Sequence, residues 1–560
     1  MQVPARKAAV ASVAALALIL GACGGNQDNE GGNGGDGQAS TGGSTFSVYI
    51  GEPEHPLIPG MTNETEGGQV VDALWTGLIE YDAETNEPEF TGVAQSIESD
   101  DQKTWTVKLK DGWTFHDGTP VTAQSFVDAW NWNAYGPNGA ANSYFFSNIE
   151  GYDEMQGKVE FDDQGNVTKV VEEPKADKLA GLEVVDDLTF TVTLKEPFSI
   201  FPLTLGYTAF FPLPKVFFED PKAFGKQPVG NGPWMANEPF QPGVGITLDR
   251  YDDYAGEEKA KAEHVEIKVY ADANTGYTDV QAGTLDINDT LPTSALKTGP
   301  DEFGDRWVES PNGSITTLAF PLYDKRYQDK RVRQAFSMAI DRDLITKEVF
   351  LGSRLPAHSF ASPVAAGYKE NACAETTKFD PERANQLLDE AGFDRSKPIT
   401  LWFNSGAGHE EWVEAVANQL KQNLGIADYK LESLDFAQFL PLRDNKGMTG
   451  PYRAGWIMDY PHIQNFLEPI YSEAALAPTG SNDTRFVNKE FDALLKEAGS
   501  ASSPEEAAAK YQEAEQILCE EMPGTPLFYG RNQLVHTERV DNVFQDGYGR
   551  IDLARVTVKE

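Results

Sequence analysis

Basic side chains are scarce in this sequence. Lysine and arginine number 46 against 87 aspartates and glutamates, a formal net charge of −41. That balance repels phosphate backbones and anionic headgroups, so no nucleic acid or anionic lipid is expected as a ligand. The acid is spread along the chain, where it serves solubility and defines no ligand. Cysteine is scarcer still, at three residues, too few for a fold stapled by disulfides. Long apolar runs are limited to residues 8–20, broken only by Ser12. These thirteen residues would make a helix of about 20 Å. A hydrocarbon layer is roughly 30 Å thick, so the run does not read as a membrane span.

Catalytic signatures are missing too. Neither a Gly-x-Ser-x-Gly elbow nor a Gly-Lys-Ser/Thr phosphate loop occurs. His409-Glu410 opens like a zinc-protease helix, but the second histidine of that pattern would fall at Val413. His116-Asp117-Gly118 reads as a hairpin turn with an exposed histidine. Gly32, Gly34 and Gly37 fit a dinucleotide fingerprint only formally, with no strand before them and no helix after them. Carboxylate pairs are numerous, but 87 acids produce those by chance. No catalytic residue, metal site or cofactor is expected, and a secreted hydrolase is the distant alternative.

What is present begins at the N-terminus. Arg6 and Lys7 precede the apolar run, and small residues follow it. A positive flank, a short apolar core and small residues together describe a secretory signal peptide, here 1–22. Leu20-Gly21-Ala22-Cys23 resembles a bacterial lipobox. That resemblance implies acylation of Cys23 and a protein tethered to the outer face of a membrane, since more than one acyl chain anchors stably. Residues 24–44 are almost entirely glycine and polar residues, so 23–44 is expected to be a lipidated cysteine and a flexible tether. With Cys23 modified, Cys373 and Cys519 remain as a candidate disulfide pair in an oxidising compartment, provided their Cα atoms come within reach.

Residues 45–560 mix short alternating strands with amphipathic helices. Trp105, Val107 and Leu109 alternate with polar neighbours, as do Phe190, Val192 and Leu194, and then Val265, Ile267 and Val269. Helical stripes come later: Val332, Ala335, Phe336, Ala339 and Ile340 behind an Asp329 cap, then Leu387, Leu388 and Ala391 between Asp380-Pro381 and Gly392. Further stripes run from Trp412 to Leu424, from Phe491 to Ala498, and between Pro504 and Pro523. The pattern predicts a mixed α/β multidomain protein.

Five stretches carry a more specific signal. They are 104–123 (TWTVKLKDGWTFHDGTPVTA), 228–234 (PVGNGPW) with 248–256 (LDRYDDYAG), 329–341 (DKRVRQAFSMAID), 379–392 (FDPERANQLLDEAG) and 453–461 (RAGWIMDYP). In this order they resemble family 5 of the bacterial extracellular solute-binding proteins, the family of dipeptide-, oligopeptide- and nickel-binding proteins. The resemblance implies an α/β, two-lobed periplasmic-binding-protein-like fold of type II, with an extra inserted domain and a ligand cleft between the lobes. Lobe I would combine 45–78, 206–318 and 531–560, the extra domain would be 79–205, and lobe II 319–530. The two crossings, near Ala319 and near Gly530, would form the hinge. Function would be capture of short peptides and delivery to the permease subunits of an ABC importer, by a monomer. A nickel complex or an oligosaccharide is the alternative cargo on the same fold.

The same resemblance implies the site. Asp459 matches the aspartate that pairs with a peptide's α-amino group, and Arg453 matches a position that holds a short peptide's carboxylate. A guanidinium fork suits that task, although an interlobe salt bridge would also use it. Trp456 matches a cleft-lining tryptophan or a core one, and Tyr460 adjoins Asp459. The segment 313–320, with Thr317, Leu318 and Ala319, is a candidate docking strand for peptide main chain. Tyr144-Phe145-Phe146 reads as core, with cleft lining as the alternative. After Tyr460, His462 and Ile463 stand where many relatives have an acid and a proline, which bears on side-chain preference.

Overall fold

Thr45–Ile50 is buried on both faces, as expected for a parallel strand covered on each side. It pairs in parallel with His264–Val269 and with Ile287–Asn288. From this nucleus an eleven-stranded mixed sheet extends in both directions. The computed structural model describes residues 44–559 except 63, 83–84, 162–166, 406–407 and 477–479. The expected signal peptide, acylated Cys23 and the tether up to residue 43 lie outside the described residues. Among the described residues, no helix is long and apolar enough to cross a membrane.

Two 13-residue strands, Trp307–Ala319 and Gly524–His536, run antiparallel to each other through the middle of the sheet. At one end, Trp307 to Pro311 pair with Val535 to Arg531, and Val535 and His536 pair on with Ile287–Asn288. At the other end, Ser314 to Ala319 pair with Ile457 to Tyr452 of the strand Tyr452–Ile457. Beyond it lie Ile399–Asn404 and Tyr429–Leu434 in parallel. The change of neighbours coincides with a register break between Pro311 and Ile315. Ala319 lies beyond that break, paired with Tyr452 and Gly524.

The second half is built by the helices that local pattern dictates. Lys330–Met338 starts on the Asp329 carboxylate, which accepts from the Arg331 N–H at 2.9 Å. Pro381–Ala391 starts on Asp380 and stops at Gly392, whose φ of 64° is left-handed and cheap only for glycine. Each such cap contributes about 1 kcal/mol. Glu410–Leu424 buries Trp412, Val413, Val416, Leu420 and Leu424 against Ile399, Leu401 and Phe403 of the sheet and against Phe528, whose ring lies 5.4 Å from that of Trp412. Burial of each large apolar side chain contributes about 1.5–3 kcal/mol. Cys373 and Cys519 are both buried and joined by a disulfide, with Cα atoms 4.9 Å apart. It ties the segment before Ala374–Thr377 to the long helix Pro504–Glu521.

A separate four-stranded antiparallel sheet, in the order Ala94–Glu98, Thr104–Leu109, Thr189–Thr193 and Leu182–Asp186, packs on the helix Ala123–Ala134. Phe126 and Trp130 of the helix meet Phe190 of the sheet. His116 corrects the reading of its motif. It is not an exposed turn residue: its Nε2 lies 3.1 Å from the Gly232 carbonyl, and its Nδ1 accepts from the Gly230 N–H. Burial pushes its pKa down to about 4, so it stays neutral. Two of the five sequence motifs are thus stapled together. Gly230 is required there, because a Cβ would lie 1.8 Å from the Leu74 carbonyl oxygen.

Candidate functional site

The strand Tyr452–Ile457 has one edge in the sheet and one largely open. On the first edge it pairs with Trp307–Ala319 along its whole length; on the second it meets Ile399–Asn404 only at Tyr452. The Met458 N–H bonds to the Gly313 carbonyl. Antiparallel geometry alternates the direction of successive backbone groups, so Arg453, Gly455 and Ile457 aim their N–H and C=O at the open edge. The bridge at Tyr452 takes the Arg453 N–H to the Trp402 carbonyl, and beyond it Gly455 and Ile457 pair with no further strand among the described residues.

This corrects the expectation for 313–320. Ser314 to Ala319 are bonded on both sides, to Tyr452–Ile457 and to Gly524–His536, so that segment has no edge left for an added strand. Thr317 and Ala319 instead share one face with Trp456 and line a cavity of about 30 Å³. Leu318 points the other way and is fully buried. It has no surface to offer a ligand.

Asp459 follows the strand after Met458. Tyr144, 315 residues earlier, donates its hydroxyl to Asp459 Oδ1 at 2.9 Å. Asn465 donates Nδ2 to Asp459 Oδ2 at 2.9 Å. The Tyr548 hydroxyl donates to the Asp459 carbonyl at 3.2 Å. No basic group pairs with the carboxylate among the described residues. Loss of hydration pushes its pKa up to about 6, and the two donors only partly offset that. Burial and the neighbouring carboxylate push the Tyr144 hydroxyl well above its ordinary value, so it remains a donor.

Arg453 stands at the opposite end of the strand. It is half-buried, and among the described residues its Nε has no partner and no carboxylate pairs with it. Burial, with Arg443 nearby, pushes its pKa down to about 10. His409 is close enough for Arg453 and Arg354 to depress its pKa, though burial is the larger cause of its fall to about 4. This end of the strand is cationic in a strongly acidic protein.

The structure therefore brings Asp459 and Trp456 together through Asn465, and sets Arg453 apart at the far end. Tyr460 turns inward and bonds Gln464. His462 and Ile463 are core residues; the His462 ring packs on Tyr511 at 5.4 Å. Of the aromatic triplet, Phe146 is core, Phe145 stacks on Tyr207, and Tyr144 reaches the site. Asn465 and Tyr548 were not singled out from sequence. Asn465 lay inside the motif's own extension, whereas only the fold brings Tyr548 near.

A larger cavity of about 450 Å³ shares Tyr207 and Tyr548 with this wall but none of Asp459, Arg453 and Trp456. Its arginines are already paired, Arg550 with Asp72 and Arg555 with Asp552.

Known proteins resemble this chain along nearly all of it. Residues 91–477 match the profile of "Bacterial extracellular solute-binding proteins, family 5 Middle". The oligopeptide-binding protein OppA of Bacillus subtilis is 28% identical over 530 residues, covering 91% of this chain and 92% of that one. The periplasmic oligopeptide-binding protein OppA of Escherichia coli is 28% identical over 477 residues, covering 81% of each. Among solved structures, the periplasmic murein tripeptide binding protein MppA in its unliganded open form superposes with a TM-score of 0.77 at 24% identity, covering 93% of this chain and 98% of that one. Haemophilus influenzae OppA in complex with RPPGFSPFR gives 0.68 at 22% identity, covering 93% and 99%. These structures share the two-lobed, mixed α/β fold. The chain belongs to the bacterial extracellular solute-binding proteins of family 5.

Proposed function

We propose that this chain is an extracytoplasmic receptor, anchored through acylated Cys23, that captures short peptides and delivers them to the permease of an ABC importer. Lobe I would comprise 45–78, 206–318 and 531–560, the extra domain 79–205, and lobe II 319–530, working as a monomer. One observation carries the reading: an open strand edge with an unpaired carboxylate at one end and an unpaired guanidinium at the other. A peptide is a strand with an ammonium at one end and a carboxylate at the other. Main chain would bond the edge groups of Gly455 and Ile457, the ammonium Asp459, and the carboxylate the Arg453 side chain. Trp456, with Thr317 and Ala319, would face a ligand side chain. From 453 to 459 an extended chain covers about 20 Å. Tri- to pentapeptides span about 10–17 Å, and the arginine side chain takes up the remainder. A neutral sugar would leave both charges unanswered.

Thermal shift tests this. A trialanine-to-pentaalanine series at about 100 times its Kd is expected to add about 2.7 kcal/mol of stability. N-acetylated versions are expected to add none. Equal stabilisation by free and acetylated peptides would refute the role of Asp459.

Acid is expected to release the ligand. The ammonium is charged throughout the relevant range, so binding depends on the ionised form of Asp459. As pH falls through about 6 that form is lost. Calorimetry is expected to show affinity near its plateau at pH 7.5 and about tenfold weaker for each unit below the transition. An affinity flat from pH 7.5 to 4.5 would contradict it.

A further inference from the structure

We propose that Asn465 is a positioning residue that locks Asp459 and Trp456 into one rigid unit and aims the carboxylate for capture of the ligand's ammonium. The inference rests on the peptide reading above. Asn465 is 1% exposed and sits in the first turn of Gln464–Tyr471. Its Oδ1 accepts two N–H groups, from the Asp459 backbone at 2.8 Å and from Trp456 Nε1 at 2.9 Å. Its Nδ2 donates to Asp459 Oδ2 at 2.9 Å.

Only one orientation of the amide fits. Both partners of Oδ1 are pure donors, and an ionised carboxylate is a pure acceptor. A flipped amide would face hydrogen to hydrogen and oxygen to oxygen. One side chain thus fixes the backbone of the loop, the carboxylate rotamer and the indole wall together. Tyr144 holds the other carboxylate oxygen from a different part of the chain. Each oxygen keeps lone-pair capacity for an ammonium, and among the described residues no basic group takes it.

No other residue type performs all three bonds. Leucine has the shape but leaves the indole N–H and the Asp459 N–H unanswered. Serine can donate or accept but cannot reach three groups. The titratable groups facing Asp459 are the hydroxyls of Tyr144, Tyr207, Tyr460 and Tyr548. Burial raises all four above their ordinary range. Among these groups the carboxylate alone changes charge near neutrality.

Isothermal calorimetry with trialanine to pentaalanine between pH 4.5 and 8 tests this on the full mature chain. Asn465→Leu is expected to bind about 10- to 100-fold more weakly at pH 7.5. Its acid midpoint is expected to move upward, because a donor to the charged form is gone. A purely structural role would leave that midpoint in place. Asn465→Ser, the milder change, is expected to move both quantities the same way by less, and it decides the matter if Asn465→Leu does not fold. Folded variants with wild-type affinity and midpoint would overturn the proposal. Asp459→Ala in parallel separates the two readings: if it also binds normally, the peptide site itself is misassigned.

Discussion

Asp459→Ala is expected to weaken capture of a short peptide by about 10²- to 10³-fold, the largest loss available to a single side chain in this site. The argument starts from desolvation. A peptide ammonium entering the cleft gives up water, and the carboxylate is the anion set to receive it. Truncating one partner of a buried, hydrogen-bonded charge pair costs about 2–5 kcal/mol, largely because the other charge stays buried and unmatched. The substitution also strips the acceptor from Tyr144 and from the Asn465 amide. Calorimetry at pH 7.5 reads the loss directly. The variant should no longer distinguish free from acetylated peptides, since that discrimination depends on the carboxylate. A variant that still prefers free amines would assign the ammonium to another acid.

Removing the Cys373–Cys519 bond is expected to cost the folded protein about 2–5 kcal/mol. The two cysteines are 146 residues apart in sequence. Chain entropy alone puts the effect of closing so long a loop at about 5 kcal/mol. Both ends are anchored in the second half's core, and Thr376 adds a hydrogen bond of 3.0 Å to the Cys519 carbonyl. Urea unfolding of a Cys373→Ser, Cys519→Ser double variant, compared with the oxidised parent, measures the difference. Equal midpoints would show that the link constrains nothing. Thiol titration of the oxidised parent under native conditions is expected to find neither sulfur free.

Much of the secondary structure was legible because its determinants are local. Asp380-Pro381 and Gly392 bracket a helix through a side-chain cap, a fixed φ and a left-handed stop, all readable within fourteen residues. The alternating strand Thr189–Thr193 is likewise self-announcing. Which strand lies at an edge is not local. Nothing local in the segment 313–320 or in the strand Tyr452–Ile457 marks an edge, yet the first is bonded on both sides and the second, apart from Tyr452, on one. The docking strand was therefore expected on the member that has no free edge. Leu318 fails for the same reason, because the face a residue occupies follows from its partners. His116 looked exposed because its staples, Gly230 and Gly232, lie more than a hundred residues away. Asp459 was reachable through its motif, whereas the tyrosines that enclose it come from distant segments and carry no local mark.

Among the described residues the chain passes between the two halves of the sheet along Trp307–Ala319 and Gly524–His536, and these passages lie side by side in one ladder. Such a double ribbon, broken in register at Pro311–Ile315, would act as a single leaf spring, flexing about one line with both strands moving together. Arg453 and Asp459 lie on the same side of that break, so flexing the ribbon would uncover a captive chain without parting its two anchors.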